Sequence, residues 1–188
     1  RLGGDISGAI GNLGSWNTSA ITNMEHLFEG NQNCSQDLTG WDVSRVTSMK
    51  GMFAYTCDHD YQKDVFHHET TGHIRGTCFN GDLSTWNTGR VIDMEAMFFE
   101  SYLFNQDIQD WDTSKVRSMS YMFYKAHHFS SSLLHWKTSN VVNMTAMFQH
   151  ATRFNSDLSQ WDTSNVESLA FTFSNAVTFN GDLSRWKT

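Results

Sequence analysis

The sequence predicts an α/β fold. The expectation is a curved solenoid in which every 25-residue repeat gives one short strand, paired in parallel with its copy in the next repeat, and one short helix. Three observations predict it. Tryptophans stand at positions 16, 41, 86, 111, 136, 161 and 186, so every interval is 25 residues except one of 45. Self-similarity at a fixed period of this length marks units too small to bury their own apolar face, which must stack on their neighbours. Around each Trp the same residue types recur, and part of that pattern keeps the three-and-four rhythm of a helical face.

Aligned on Trp, the unit reads F-N-x-D-L-S-x-W-D-T-S-N-V-x-x-M-x-x-M-F-x-x-A and is clearest from Phe154 to Ala176. Counting from Trp, the stretch from −7 to 0 is short and bounded by Gly, Asn and Ser, which suits a brief strand interrupted by a bulge or turn. Val at +5, Met at +8, Met then Phe at +11 and +12, and Ala at +15 predict a helix of two or three turns. A Ser precedes that run at Ser19, Ser44, Ser114, Ser139 and Ser164, where a hydroxyl can cap free N–H groups. All nine Met lie at +8 or +11, and eleven of the fourteen Phe fall in two columns, so these stripes read as core and not as a cofactor box. Helices about 10 Å wide on one side against strands about 4.8 Å apart on the other would curve the stack, strands inward.

Residues 1–188 read as one solenoid domain, with an irregular first rung over 1–15 and an insertion at 58–77. Thr188 lies in mid-repeat, so the chain reads as part of a longer array. Subtracting the insertion makes Cys57 equivalent to Tyr102 and Cys78 to Leu103, two adjacent positions of an ordinary repeat. Residues placed side by side are within bridging distance, so a Cys57–Cys78 disulfide is expected, contributing about 3 kcal/mol in the chain-entropy model. Cys34 occupies a Phe column and reads as a small buried hydrophobe.

The run S-N-V-x-x-M-x-x-M-F-x-x-A-x-x-F-N-x-D-L-S-x-W resembles the repeat of BspA-type bacterial surface proteins, a divergent branch of the leucine-rich repeats also found in mycoplasma lipoproteins and some protists. The resemblance covers the chain from about Asn12 to Thr188 apart from the insertion. It implies an extracellular, surface-displayed, leucine-rich-repeat-like solenoid linked to adhesion, with no catalytic residues to carry across.

The chemistry-bearing residues are few. Asn17, Asn33 and Asn143 open N-x-[ST] sequons in columns that read as exposed, which makes them glycosylation candidates. The insertion gathers Asp58, His59, Asp60, Asp64, His67, His68, Glu69 and His73. That mixture could ligate zinc, but the near-miss spacing of His68 and His73 disfavours a metalloprotease, and a solvated loop is the preferred reading. No metal or other cofactor is expected. His59, Tyr61, His67, His68 and His73 are candidates for partner contact, since loops on rigid scaffolds acquire specificity. The Asp column at −4 suggests either calcium or turn capping, with capping preferred.

A formal charge of −7 with thirteen scattered Lys and Arg argues against nucleic acid. No nucleophile–base pattern or membrane span is present in the sequence, so an enzyme is not expected. The leading expectation is an extracellular or cell-surface scaffold that recognises a protein or glycan. A structural subunit of an extracellular filament, sheath or wall stays open, and ice binding through the column Thr18, Thr88, Thr113, Thr138, Thr163 and Thr188 is a remote third. The position before Trp varies from Ser15 and Gly40 to His135 and Arg185, as a binding face would.

Overall fold

The computed structural model describes residues 12–31, 37–56 and 79–187. Cys34, Asn33, Cys57, Cys78 and the loop candidates His59, Tyr61, His67, His68 and His73 lie outside the described residues, as do the first eleven positions of the irregular rung.

Equivalent positions of successive repeats lie directly over one another. The indoles form a continuous file from Trp16 to Trp186; Trp111 and Trp136, for example, have centroids 6.4 Å apart and planes within 6° of parallel. Inside each rung the Phe at +12 faces the Phe at −7 of the next Trp, as with Phe98 and Phe104 at 3.8 Å, and each also stacks on its copy above and below. Val at +5, Met at +8 and +11, and Leu or Ile at −3 complete one core cluster running from Leu13 to Trp186. The long interval leaves the register intact: Trp41 stacks on Trp86 at 6.5 Å as if 25 residues separated them.

The expected strands and helices are not there. Among the described residues the one helical element is a three-residue 3₁₀ turn, Leu13–Ser15, with the Asn12 side chain accepting from the Gly14 amide. The β pairing is a file of isolated parallel bridges linking Asn23, Ser48, Asp93, Ser118, Asn143 and Ser168, all at +7, and it forms no sheet. The α/β class with parallel strands and a helix per repeat is therefore overturned. The inferred curvature goes with it, since the wedge needed helix widths on one side.

Backbone conformation explains the loss of the helix. Positions +10 and +14 have positive φ in every described rung, as at His26 and Gly30, Gly51 and Tyr55, Ala96 and Glu100, and Tyr121 and Lys125. A left-handed residue every four positions cannot continue a right-handed helix. Instead the segment folds as overlapping turns, in which the amide at +11 bonds the carbonyl at +8, +13 bonds +10, and +15 bonds +12. In the rung of Trp86 these are Met97 to Met94 at 3.2 Å, Phe99 to Ala96 at 3.1 Å and Ser101 to Phe98 at 3.1 Å. A positive φ at the third residue of the first and last of these turns is the type II signature.

The alternate amides point along the stack. Met94, Ala96, Phe98 and Glu100 donate to the carbonyls of Ser118, Ser120, Met122 and Tyr124 in the next rung, at 2.8 to 3.0 Å. Backbone groups are thus satisfied half within the rung and half between rungs, which meets the requirement that buried amides be paired without any regular element.

Side chains tie the remaining arc. Each indole Nε1 donates to the carbonyl at −3 of the preceding rung, from Trp41 to Leu13 at 2.8 Å through Trp111 to Leu83 at 3.0 Å. The same carbonyl also accepts the Trp amide of its own rung, as Leu83 does from Trp86 at 3.1 Å, so Trp adds an inter-rung bond that Phe could not make. Asp and Asn close turns two residues long: Asp37 accepts from the Thr39 amide at 2.9 Å, Asp112 from Ser114 at 3.1 Å, and Asn143 from Thr145 at 2.9 Å. Of the serines expected to cap a helix, Ser19, Ser44, Ser114 and Ser164 are donors to these turns, since no helix follows them.

Candidate functional site on the left-handed turns

Of the paired left-handed positions, Gly30, Tyr55, Tyr121, Phe171 and Asn175 lie exposed on the outer face of the stack, whereas Gly51, Glu100 and Ala146 are buried. In the middle of the stack that face becomes aromatic. Tyr55 and Tyr121 are 42% and 39% exposed, and Phe99 and Tyr124 are half-buried between them. Phe99 is the centre: its ring lies 5.1 Å from Tyr55, 6.2 Å from Tyr121 and 4.6 Å from Tyr124, tilted by 54° and 52° to the first two and stacked on the third. Tyr121 and Tyr124 meet edge to face at 6.1 Å.

Charges rim this patch in matched pairs between rungs. Lys50 bonds Glu95 at 2.9 Å and Lys125 bonds Glu100 at 2.9 Å. Its hydrogen bond to the Glu95 carboxylate holds the Lys50 ammonium above its ordinary pKa. Lys125 also sits over the Tyr124 ring, 5.3 Å from its centroid. Asp93 and Glu25 add their negative charge to that of Glu95 around Lys50, so on that side the carboxylates outnumber the ammonium.

These aromatic residues are placed against a backbone preference. Gly30 occupies the +14 column and Gly51 the +10 column. A Cβ at Gly51 would run into the His26 ring, whereas at Gly30 nothing lies within 4 Å and the positive φ alone favours glycine. Tyr55 and Tyr121 hold the same two positions at φ of 55° and 59°. A non-glycine residue there costs about 1 kcal/mol, offset in part by ring contacts worth about 0.5–1.5 kcal/mol each. Glycine stands at two of the twelve left-handed positions among the described residues, and of the ten other residues Tyr55, Tyr121 and Phe171 are exposed aromatics.

The sequence-derived candidates are scattered. Asn17 is exposed, with its Oδ1 engaged by the Ser19 amide and hydroxyl at 3.1 and 2.7 Å. Asn143 departs from expectation: it is half-buried, because it sits in the bridge column between Ser118 and Ser168. The carboxylates at −4 point into their own turns and not at one another. Hydrogen bonds from Thr39, Ser84 and Ser159 hold Asp37, Asp82 and Asp157 below the ordinary carboxylate range.

The Thr column is buried, Thr113 fully so, and its hydroxyls donate to the next rung, as from Thr113 to the Lys137 carbonyl at 3.0 Å. It offers no face to ice. The variable position before Trp is exposed throughout, and there His135 Nδ1 lies 3.0 Å from Asp110 Oδ1. Among the described residues no three His, Cys, Asp or Glu gather to hold a metal, and no helix is long and apolar enough to cross a membrane. A cavity of about 370 Å³ lined by Leu169, Phe171, Phe173, Leu183 and Trp186 is the bare core face of the last described rung.

The sequence reading passed over Tyr55, Phe99, Tyr121 and Tyr124. Phe99 is one of three Phe outside the two core columns, and four of the five Tyr lie within the described residues, three of them in this patch.

Stacked 25-residue rungs with an invariant core and a varied outer face define a tandem-repeat scaffold protein. The chain belongs to the repeat-containing family described as Mycoplasma protein of unknown function, DUF285, which matches residues 73–140 and 110–188, together more than half of its length. Neither a curated protein nor a solved structure matches it.

Proposed function

We propose that this chain is a non-enzymatic, surface-displayed recognition module related to the BspA-type surface proteins, and that the aromatic face around Phe99 is where it meets its partner. One observation carries the reading: exposed Tyr55 and Tyr121 occupy left-handed positions that glycine fills elsewhere in the same columns. The inner columns are accounted for by packing and turn hydrogen bonds, so the aromatic face is what remains for function. The family membership and the motif resemblance support the same assignment to the extracellular or cell-surface side.

Two measurements test it. Mild trypsin treatment of intact source cells should remove the protein's epitope while a cytosolic marker survives. The purified chain should bind saturably to one or more members of a panel of immobilised extracellular proteins and glycoproteins, and Tyr121→Gly should weaken that binding. An epitope protected until lysis, or binding indifferent to Tyr121→Gly and Phe99→Ala, would sink the reading.

A further inference from the structure

We propose that the aromatic face binds a neutral glycan, with the rings of Tyr55, Phe99, Tyr121 and Tyr124 stacking on the apolar faces of its pyranose units. This rests on the recognition reading above and names the ligand class.

Size argues first. Four rings, two of them about two-fifths exposed and two half-buried, offer roughly 300 Å² of open aromatic surface. A stable protein partner or a second copy buries about 800 Å² on each side. The patch suits a few sugar units better than a protein face.

Charge narrows the ligand further. Among the described residues Lys50 and Lys125 are both joined to glutamates, and Asp93 and Glu25 add negative charge around Lys50, which disfavours sulfate, phosphate or an anionic lipid surface. Lys50, Glu95, Lys125 and the tyrosine hydroxyls provide donors and acceptors for an apolar centre, while Glu100 is buried beneath Lys125. A neutral pyranose has this complementary layout, with C–H groups on its faces and hydroxyls round its edge. Ligand sites of this kind combine apolar and aromatic surface with a few polar groups that fix orientation.

Periodicity is the last point. Phe99 and Tyr124 occupy the same position in successive rungs and stack at 4.6 Å, and Tyr55 lies one rung earlier. The rings therefore span three successive rungs, an elongated platform on which consecutive units of a chain-like ligand can stack side by side.

The test is calorimetric titration of the intact chain with cellohexaose, chitohexaose and mannohexaose, with heparin as the anionic comparison. At least one neutral hexasaccharide should bind saturably. Tyr121→Gly and Phe99→Ala should each weaken it about tenfold, the loss expected of a central contact residue. Tyr121→Trp should retain it, and the thermal midpoint of Tyr121→Gly should stay close to that of the parent, which separates lost contact from lost fold. Binding to heparin alone, no binding of any neutral hexasaccharide, or binding unchanged in Tyr121→Gly would each overturn the proposal. If no sugar binds while Tyr121→Gly still abolishes attachment to an immobilised protein, the glycan assignment falls and the recognition reading stands. Tyr121→Gly behaving as the parent in both assays ends both.

Discussion

The inward and outward columns of this stack share one backbone and obey opposite rules. At +12 every described rung carries Phe, and from Phe28 to Phe148 each is fully buried between copies of itself. At +10, two residues away, the rungs carry His26, Gly51, Ala96, Tyr121, Ala146 and Phe171, although one left-handed conformation is demanded of all of them. Inside, neighbouring rungs above and below dictate the side chain. Outside, one φ is shared while the surroundings differ: Gly51 and Ala146 are buried, and a Cβ at Gly51 would meet the His26 ring, but Tyr121 and Phe171 are exposed. The uniform column therefore reports packing, and the varied one answers to surroundings that change from rung to rung.

The comparison can be broken most forcefully from the inside. Trp111→Ala removes a buried ring that stacks on Trp86 and Trp136 and donates to the Leu83 carbonyl. Urea unfolding should show a loss of about 4 kcal/mol. Tyr121→Gly should fall within about 1 kcal/mol of the parent in the same assay, because strain relief offsets the lost ring contacts. Equal losses at the two positions would erase the distinction between core and surface.

The threonine column sharpens it at smaller scale. Thr113 both donates to the Lys137 carbonyl at 3.0 Å and accepts from the Lys137 amide at 2.8 Å. Thr113→Val should cost about 1 kcal/mol, since it leaves a part-buried carbonyl and amide without their inter-rung partner. Val43 is the exception in that column and is buried. Val43→Thr should gain on the order of 1 kcal/mol by supplying the missing inter-rung bond to the Asn87 carbonyl.

Relief of backbone strain comes next. Ala96 has φ of 54° and carries no ring to lose. Ala96→Gly should raise stability by about 1 kcal/mol, read as a higher urea midpoint with unchanged slope. A loss of stability there would mean that left-handed strain does not shape the outer columns.

The smallest effects are electrostatic. Asp37, Asp42, Asp82, Asp157, Asp162 and Asp182 are each held below the ordinary value of 3.8 by hydrogen bonds to a Thr or Ser two residues on. Their contribution is fully present above 3.8, the value in the unfolded chain, and is lost as pH falls through the lower folded values. Asp93 is opposite in sign: burial raises its pKa, so its charge works against folding as pH rises through that raised value. Asp93→Asn keeps an acceptor for the Glu95 amide, bonded at 2.8 Å. It should raise the thermal midpoint slightly at neutral pH and lose that advantage in acid. Asp157→Asn should do the reverse, matching the parent in acid and falling below it at neutral pH.

Much of the interior was legible without coordinates. The Trp, Phe, Met, Leu and Val columns follow from the period, because residues that recur at one spacing in stacked units must share an environment. Turn capping by the Asp column was legible too, since Asn12 and Ser132 do the same work without charge. The helix was misread because Val at +5, Met at +8, Phe at +12 and Ala at +15 face one side in a run of type II turns as well as in a helix. Gly30, Gly51 and Asn175 were the available warning: residues tolerant of positive φ recur at +10 and +14, in what would have been a helix interior.

By itself the sequence determined that the chain is a stack of equivalent rungs, which residues the stack buries, and where the register survives a 20-residue excess. Only the tertiary structure decided how the backbone is satisfied. An isolated repeat would have to bond its own amides, and a helix is the economical way to do so. A repeat held between two others has carbonyls on offer from the next rung, at 2.8 to 3.0 Å throughout the +8 to +14 segment of the Trp86 rung. That external ladder makes left-handed turns sustainable, and those turns bring Tyr55, Phe99, Tyr121 and Tyr124 together on one face. Residues 55 and 121 are too far apart in the chain for any local pattern to have joined them.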